Sequence, residues 1–235
     1  GSSNTDGTIN STYTSVNTTS GFSIVTYTGT GSAGTVGHGL GTTPSMVWIF
    51  NRTDGGNGHV FHKALGSTQY LLHASTLGVQ TYAPVGIGSL TSSTFSVGTV
   101  GGVNGSSKNY VAYVFAEKKG YSKIGNYTGN DNANGTFVYT GFKPSFVLIK
   151  RTNASDNWYI YDNKRDGYNV DNNDLHPNNT DAESTDDKID LLSNGFKLRM
   201  ANNDVNGDGD TYIYYAVAEE PLVANVGNSI PATAR

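Results

Sequence analysis

An all-β fold, arranged as two tandem related β-sandwich units of jelly-roll or lectin-like type from an internal duplication, is what this sequence predicts, on three observations. Charged residues are only 14% of 235, while Gly (30) and Tyr (15) are abundant; that balance suits short strands joined by tight turns. Apolar residues alternate or cluster in short runs bounded by turn signals, and no amphipathic helical period is evident. Finally, the chain repeats itself about a hundred positions apart, a period too long for a solenoid and right for one small domain per copy. A closed barrel is the rival architecture.

The elements follow in chain order. The segment FSIVTYTG (22–29) alternates as a half-buried strand, and its copy places Ile124 under Ile24 and Tyr127-Thr128-Gly129 under Tyr27-Thr28-Gly29. Next, Gly41 with Pro44-Ser45 and Gly141 with Pro144-Ser145 mark a turn. That turn feeds the apolar runs SMVWIF and SFVLIK, which read as buried strands rather than as binding elements. After one deletion Arg52-Thr53 aligns with Arg151-Thr152. HVFHK (59–63) and WYIYD (158–162) are the matching middle strands. The register then lapses and returns, with Leu90 over Leu191, Phe95 over Phe196, and Val103-Asn104-Gly105 over Val205-Asn206-Gly207. The paired Val-Asn-Gly segments read as hairpin loops before the last strands, NYVAYVFAE and TYIYYAVAE. Residues 1–20 form an N-terminal linker or strand, 21–119 the first repeat, 120–222 the second, and 223–235 a C-terminal tail. Gly1-Ser2 reads as a cloning remnant, so a longer polypeptide is expected upstream.

Several function classes recede at once. The net charge is −4, which argues against a nucleic-acid footprint. No run approaches the roughly 18 apolar residues of a membrane-spanning helix, so membrane insertion is not expected. Without Cys there is no disulfide framework and no thiolate chemistry. Charge is uneven: residues 1–120 sum to +2 and residues 121–235 to −6. The excess acid lies in the middle of the second repeat, NKRDGYNVDNNDLHPNNTDAESTDDKID (163–190), opposite an apolar, uncharged stretch in the first (64–90).

That divergent insert is where function is expected, because loops on a rigid scaffold vary while cores do not. Trp158, Tyr161, Arg165, Asp166, Tyr168, Asn169 and Asp171 combine rings for stacking on sugar faces with polar groups for hydroxyls, a carbohydrate-binding mixture. The bland reading is that one face of the 158–162 strand simply fills the core. Calcium is the candidate ion. In DVNGDGDTY (204–212), Asp204, Asn206, Asp208 and Asp210 alternate and Gly209 takes the sixth place, like the first half of an EF-hand loop. Tyr215 stands where the closing acid belongs, and a polar turn explains the pattern equally. Five His occur, but His59 and His62 fall on opposite strand faces, which suits ordinary imidazoles better than a metal site. No paired-carboxylate, nucleophile-elbow or phosphate-loop motif is present, so no catalytic residue is assigned.

The segments GFSIVTYTGTGSAGTVGHGLGTTPSMVWIFNRT, VFHKALGSTQYLL, YVAYVFAEKKGYSKIGNYTGNDNANGTFVYTGFKPSFVLIKRT, WYIYDNKRDGYN and DLLSNGFKLR, with the ending IPATAR, resemble a family of duplicated β-domains. These lie near the C-terminal ends of long, tail fibre-like structural proteins of marine tailed phages, often beside a concanavalin-A-like lectin domain or a collagen-like fibre. The resemblance spans about Gly21 to Arg235. It implies a virion appendage outside the cell with a role in host attachment, and it carries no ligand or catalytic residues onto positions here. The expected function is therefore non-enzymatic recognition of a bacterial cell-surface polysaccharide or glycan, in a fibre that would allow a homotrimer. A purely structural virion domain is the alternative, and a polysaccharide depolymerase a more distant one.

Overall fold

The computed structural model describes residues 1–165, 169 and 173–220, and their regular secondary structure is nearly all antiparallel sheet, joined by turns. They group into two compact units.

The first unit takes residues 1–116 with 152–157 and 177–179. Its strands are β1 (Ser11–Asn17), β2 (Phe22–Thr28), β3 (Gly34–Gly37), β4 (Met46–Asn51), β5 (His59–His62), β6 (Gln69–Leu72), β7 (Gln80–Thr81), β8 (Thr94–Val97) and β9 (Asn109–Phe115). One sheet runs β1-β2-β9-β4-β5-β6-β7, and a ribbon of β3 and β8 faces it. Alternation decides which side chains meet: Val25 and Tyr27, Tyr110, Ala112 and Val114, and Val47 and Ile49 turn inward onto Val36, Phe95 and Val97. Their neighbours along the strands turn to the opposite face, where Phe22, Trp48, Phe50, Tyr113 and Phe115 form a half-buried cluster of rings. The result is a sandwich of unequal layers.

The second unit takes residues 117–151, 158–176 and those from 180 on. Its strands are β10 (Ser122–Thr128), β11 (Phe137–Tyr139), β12 (Pro144–Arg151), β13 (Trp158–Asp162), β14 (Ile189–Leu192), β15 (Gly195–Leu198) and β16 (Thr211–Ala218). The sheet β10-β16-β12-β13 packs on the sheet β11-β15-β14.

The strand order β2-β9-β4-β5 of the first unit recurs as β10-β16-β12-β13, and β3-β8 recurs as β11-β15. Small contacts recur with it. The Tyr27 hydroxyl donates to the Val103 carbonyl and the Tyr127 hydroxyl to that of Val205. Tyr27 stacks on Tyr110 at 5.1 Å and Tyr127 on Tyr212 at 5.0 Å. The two Gly-x-x-Pro-Ser turns enter β4 and β12 as expected: Gly41 and Gly141 adopt φ of +68° and +84°, a left-handed conformation that favours glycine.

Two expectations change, and one open alternative is decided. The Val-Asn-Gly segments are not loose hairpin tips. Val103 and Asn104 close a one-turn helix, Gly101–Asn104, and Asn104 is wholly buried. Its amide accepts from Thr30 N–H at 2.9 Å and donates to the carbonyls of Ser32 (2.7 Å) and Gly98 (2.8 Å). Asn206 holds Asn130, Asn132 and Met200 in the same way. Of the two readings of residues 1–20, linker or strand, the strand holds: β1 pairs with β2, and Ile9 joins the core beside β3. The Arg52-over-Arg151 alignment is also off by one. Asn51 lies opposite Tyr110 and Arg151 opposite Tyr212, so Asn51 occupies the place of Arg151, and Arg52 comes a step later, on the other face.

Candidate functional site

Two of the rings expected in a sugar site around β13 are buried. Trp158 is 1% exposed and Tyr161 0%, so the rings on both faces of β13 are packed away and neither can stack on a ligand. Arg165 is consumed by its surroundings: Nε meets Asp162 at 2.6 Å, Nη1 meets Glu183 at 2.8 Å, and Nη2 donates to the Ile160 carbonyl. Burial opposes its charge, but the two carboxylates outweigh burial and its pKa is raised. The Asn169 amide is spent on the Leu191 backbone, donating at 3.0 Å and accepting at 2.8 Å. Asp166, Tyr168 and Asp171 lie outside the described residues.

The proposed calcium loop does not converge either. Asp204 reaches Lys188 Nζ at 3.1 Å, Asp210 reaches Arg151 Nη2 at 2.6 Å, Asn206 is buried on backbone groups, and Asp208 is exposed. The alternate positions point these groups to different partners, whereas an EF-hand loop wraps them around one point. Among the described residues no group of three or more His, Asp or Glu is placed to hold a metal ion.

Part of the acid-rich insert folds inward instead. Lys188 Nζ lies 2.8 Å from Asp174, which is wholly buried, and 4.9 Å from the centre of the Tyr159 ring. Burial pulls the Lys188 pKa down, but the bonds to Asp174 and Asp204 dominate and the net shift is upward. His176 closes on Asp174 at 3.3 Å. This cluster is closed and internally compensated, a tie between insert and core.

An open site lies in the first unit. A cleft of about 240 Å³ is lined by Thr12, Tyr13, Thr26, Tyr27, Arg52, Asn109 and Tyr110. β1 supplies its wall. Between Ser11 and Tyr13 the register to β2 shifts, so Thr12 is an extra residue and both Thr12 and Tyr13 border the cleft. Bulges commonly re-aim side chains in this way. Tyr13 is 61% exposed and stands opposite Thr26. The Thr26 hydroxyl is buried without a hydrogen-bond partner among the described residues, an unmet demand in the cleft wall.

The Asn109 carbonyl oxygen of the side chain accepts from Thr28 at 3.2 Å, which leaves its NH₂ uncommitted. The Arg52 N–H donates to the Asn109 backbone at 2.7 Å and so fixes the root of the arginine. Its exposed guanidinium has no acidic partner among the described residues. Nearby, Lys108 and Asp54 pair at 2.8 Å, which raises the lysine pKa and lowers that of the acid. Burial raises the pKa of Tyr27 and Tyr110, most strongly for Tyr27; both stay neutral floor residues. Tyr13, Thr26, Arg52 and Asn109 escaped the sequence reading. The β-prone Thr, Tyr and Val of STYTSVN, without apolar alternation, were the available signal.

An exposed aromatic pair, Phe137 (44%) and Tyr139 (64%), stands on β11, an edge strand.

A family described as a domain of unknown function, DUF7483, matches residues 1–221. The chain belongs to this family. The DUF7483 match runs through both units and includes residues 1–20, so the strand that walls the cleft is part of the family domain. No curated protein and no solved structure matches the chain.

Proposed function

We propose that this DUF7483 chain is a non-enzymatic recognition domain of a phage virion appendage, that it attaches to saccharide on a bacterial surface, and that the first unit's cleft is its sugar site. One observation carries the reading: an exposed tyrosine ring stands beside a guanidinium without an acidic partner among the described residues, an uncommitted amide and the exposed Thr12 hydroxyl in a single open cleft. A pyranose asks for that combination, an apolar face for the ring and donors and acceptors for the hydroxyls. Binding is favoured over hydrolysis because no carboxylate among the described residues lines the cleft, and glycoside cleavage uses two. The virion setting rests on the resemblance to duplicated phage domains. There, many copies on an oligomeric fibre would turn a weak site into firm attachment.

A glycan array probed with the protein on a tetravalent carrier tests this. Retention on a defined set of saccharides is expected, with loss on Tyr13→Ala and no effect of Tyr139→Ala. Binding lost instead on Tyr139→Ala moves the site to β11, and no retention at all removes the reading.

A second reading, a structural domain used in fibre assembly, draws on that same β11 edge. In the first unit the equivalent strand, β3, is covered by residue 9, whose N–H donates to Thr35 at 2.9 Å. Open edges bearing exposed rings are sites for another chain. Sedimentation of wild type against Tyr139→Lys separates the two readings: loss of an oligomer favours assembly.

A further inference from the structure

The geometry points to an acidic ligand for this cleft: a carboxylate-bearing sugar, such as a uronic acid within a polysaccharide, held through Arg52. This rests on the sugar-binding reading above and adds the ligand's charge.

The argument is one of compensation. The two acids nearest in sequence to the cleft residues are Asp6 and Asp54. Asp54 is taken by Lys108 and also accepts from Asn51 Nδ2 at 3.1 Å. Asp6 accepts from Asn4 Nδ2 at 3.0 Å. Neither lines the cleft. Arg52 thus contributes a positive charge that no described residue of the cleft neutralises, in the half of the chain that sums to +2.

The second unit makes a contrast. Its strand-end arginine, Arg151, is closed by Asp210 at 2.6 Å, with both side chains largely buried. The first unit has Asn51 at the matching position on β4 and Lys108 where β16 is preceded by Asp210, so the internal acid is missing. The one-residue offset carries Arg52 to the outer face instead. There the cleft is walled by β1, and the second unit has no strand equivalent to β1 among its described residues.

A guanidinium presents two parallel N–H donors that match a carboxylate in bidentate fashion. The Asn109 NH₂ and the Thr12 hydroxyl stand by for the neighbouring sugar hydroxyls. The cleft, about 240 Å³, suits one sugar ring rather than a long subsite array. Because Arg52 is exposed, the charge contact is screened by salt and modest for one site, with a preference of about tenfold for the acid over its neutral counterpart.

The test uses the full chain on a tetravalent carrier, against acidic saccharides each displayed beside its carboxyl-reduced, neutral form. The expected result is about tenfold stronger retention on the acid, weakening with added NaCl. Arg52→Gln should abolish the preference and Arg52→Lys should keep part of it, both with an unchanged melting temperature because the side chain is exposed. Equal retention on acid and neutral forms, or a preference that survives Arg52→Gln, overturns the acidic ligand and leaves the sugar site standing. Retention on neither form overturns both.

Discussion

At the scale of single residues, the two asparagines and the buried lysine show how few side chains fix the scaffold. Asn104 and Asn206 each satisfy three backbone groups, so the loops after β2 and β10 are tied to the turns before β9 and β16. Lys188 does comparable work for the insert. Removing it leaves the Asp174 side chain buried without its ammonium partner, and among the described residues its other side-chain contacts are His176 and the Tyr161 hydroxyl. Lys188→Met is expected to cost about 3–5 kcal/mol, and the double variant Lys188→Met/Asp174→Asn less than the single one, because no buried charge is then stranded. Urea denaturation of both checks this; equal losses would mean the pair contributes packing alone. The same scale explains why the sequence misled about Arg52. Matching letters favoured Arg over Arg, but strand pairing favours Asn51, and a slip of one residue sends a side chain to the opposite face.

At the scale of elements, legibility tracked burial. The strands β2, β4, β9, β12, β13 and β16 were visible because each carries a buried apolar face repeated in both halves. β6 and β7 were not, since Gln69–Leu72 and Gln80–Thr81 are short, half-buried and without counterparts. β1 was ambiguous for a different reason. As an edge strand it buries only Ser11 and Thr14, so STYTSVN carries no apolar signal, and its role is set by pairing with β2. The consequence for the candidate site was direct: the wall of the cleft lay in the segment read as linker or strand, while the ring-rich β13 was core. β1 and the preceding residues also bury Ile9, which is 6% exposed. Deleting residues 1–17 is therefore expected to lower the melting temperature by roughly 10 °C or more. It should also cause aggregation through the uncovered β2 edge and remove saccharide retention. Calorimetry and light scattering measure the first two, and an unchanged melting temperature would show β1 to be an ornament on the fold.

At the scale of the whole molecule, the distribution of titrating groups predicts that the two ends of the pH range act differently. Burial lowers the pKa of His38, His59 and His73 from 6.5, and all three belong to the first unit. The fold favours the neutral imidazole; the Leu40 N–H donates to Nδ1 of His38 at 3.2 Å, a bond only an unprotonated Nδ1 can accept. The unfolded chain binds more protons below pH 6.5, so this part of the stability is present above 6.5 and lost as pH falls. Burial acts in the other direction on the tyrosines. It raises Tyr27, Tyr127 and Tyr161 well above 10, and Tyr214 and Tyr215 to about 12. A raised folded pKa means stability that is whole below pH 10 and lost as pH climbs through the folded values. Here both units are affected, the second more heavily, since four of those five phenols lie in it. Hydrogen exchange at pH 7.5 and pH 5 should show faster opening in peptides from residues 22–115 than from 122–218. Absorbance near 295 nm above pH 10 should show a group of tyrosines ionising only as the fold is lost. Uniform acceleration in acid, or free titration of all the phenols near pH 10 in folded protein, would place the buried imidazoles and rings elsewhere than in these two cores.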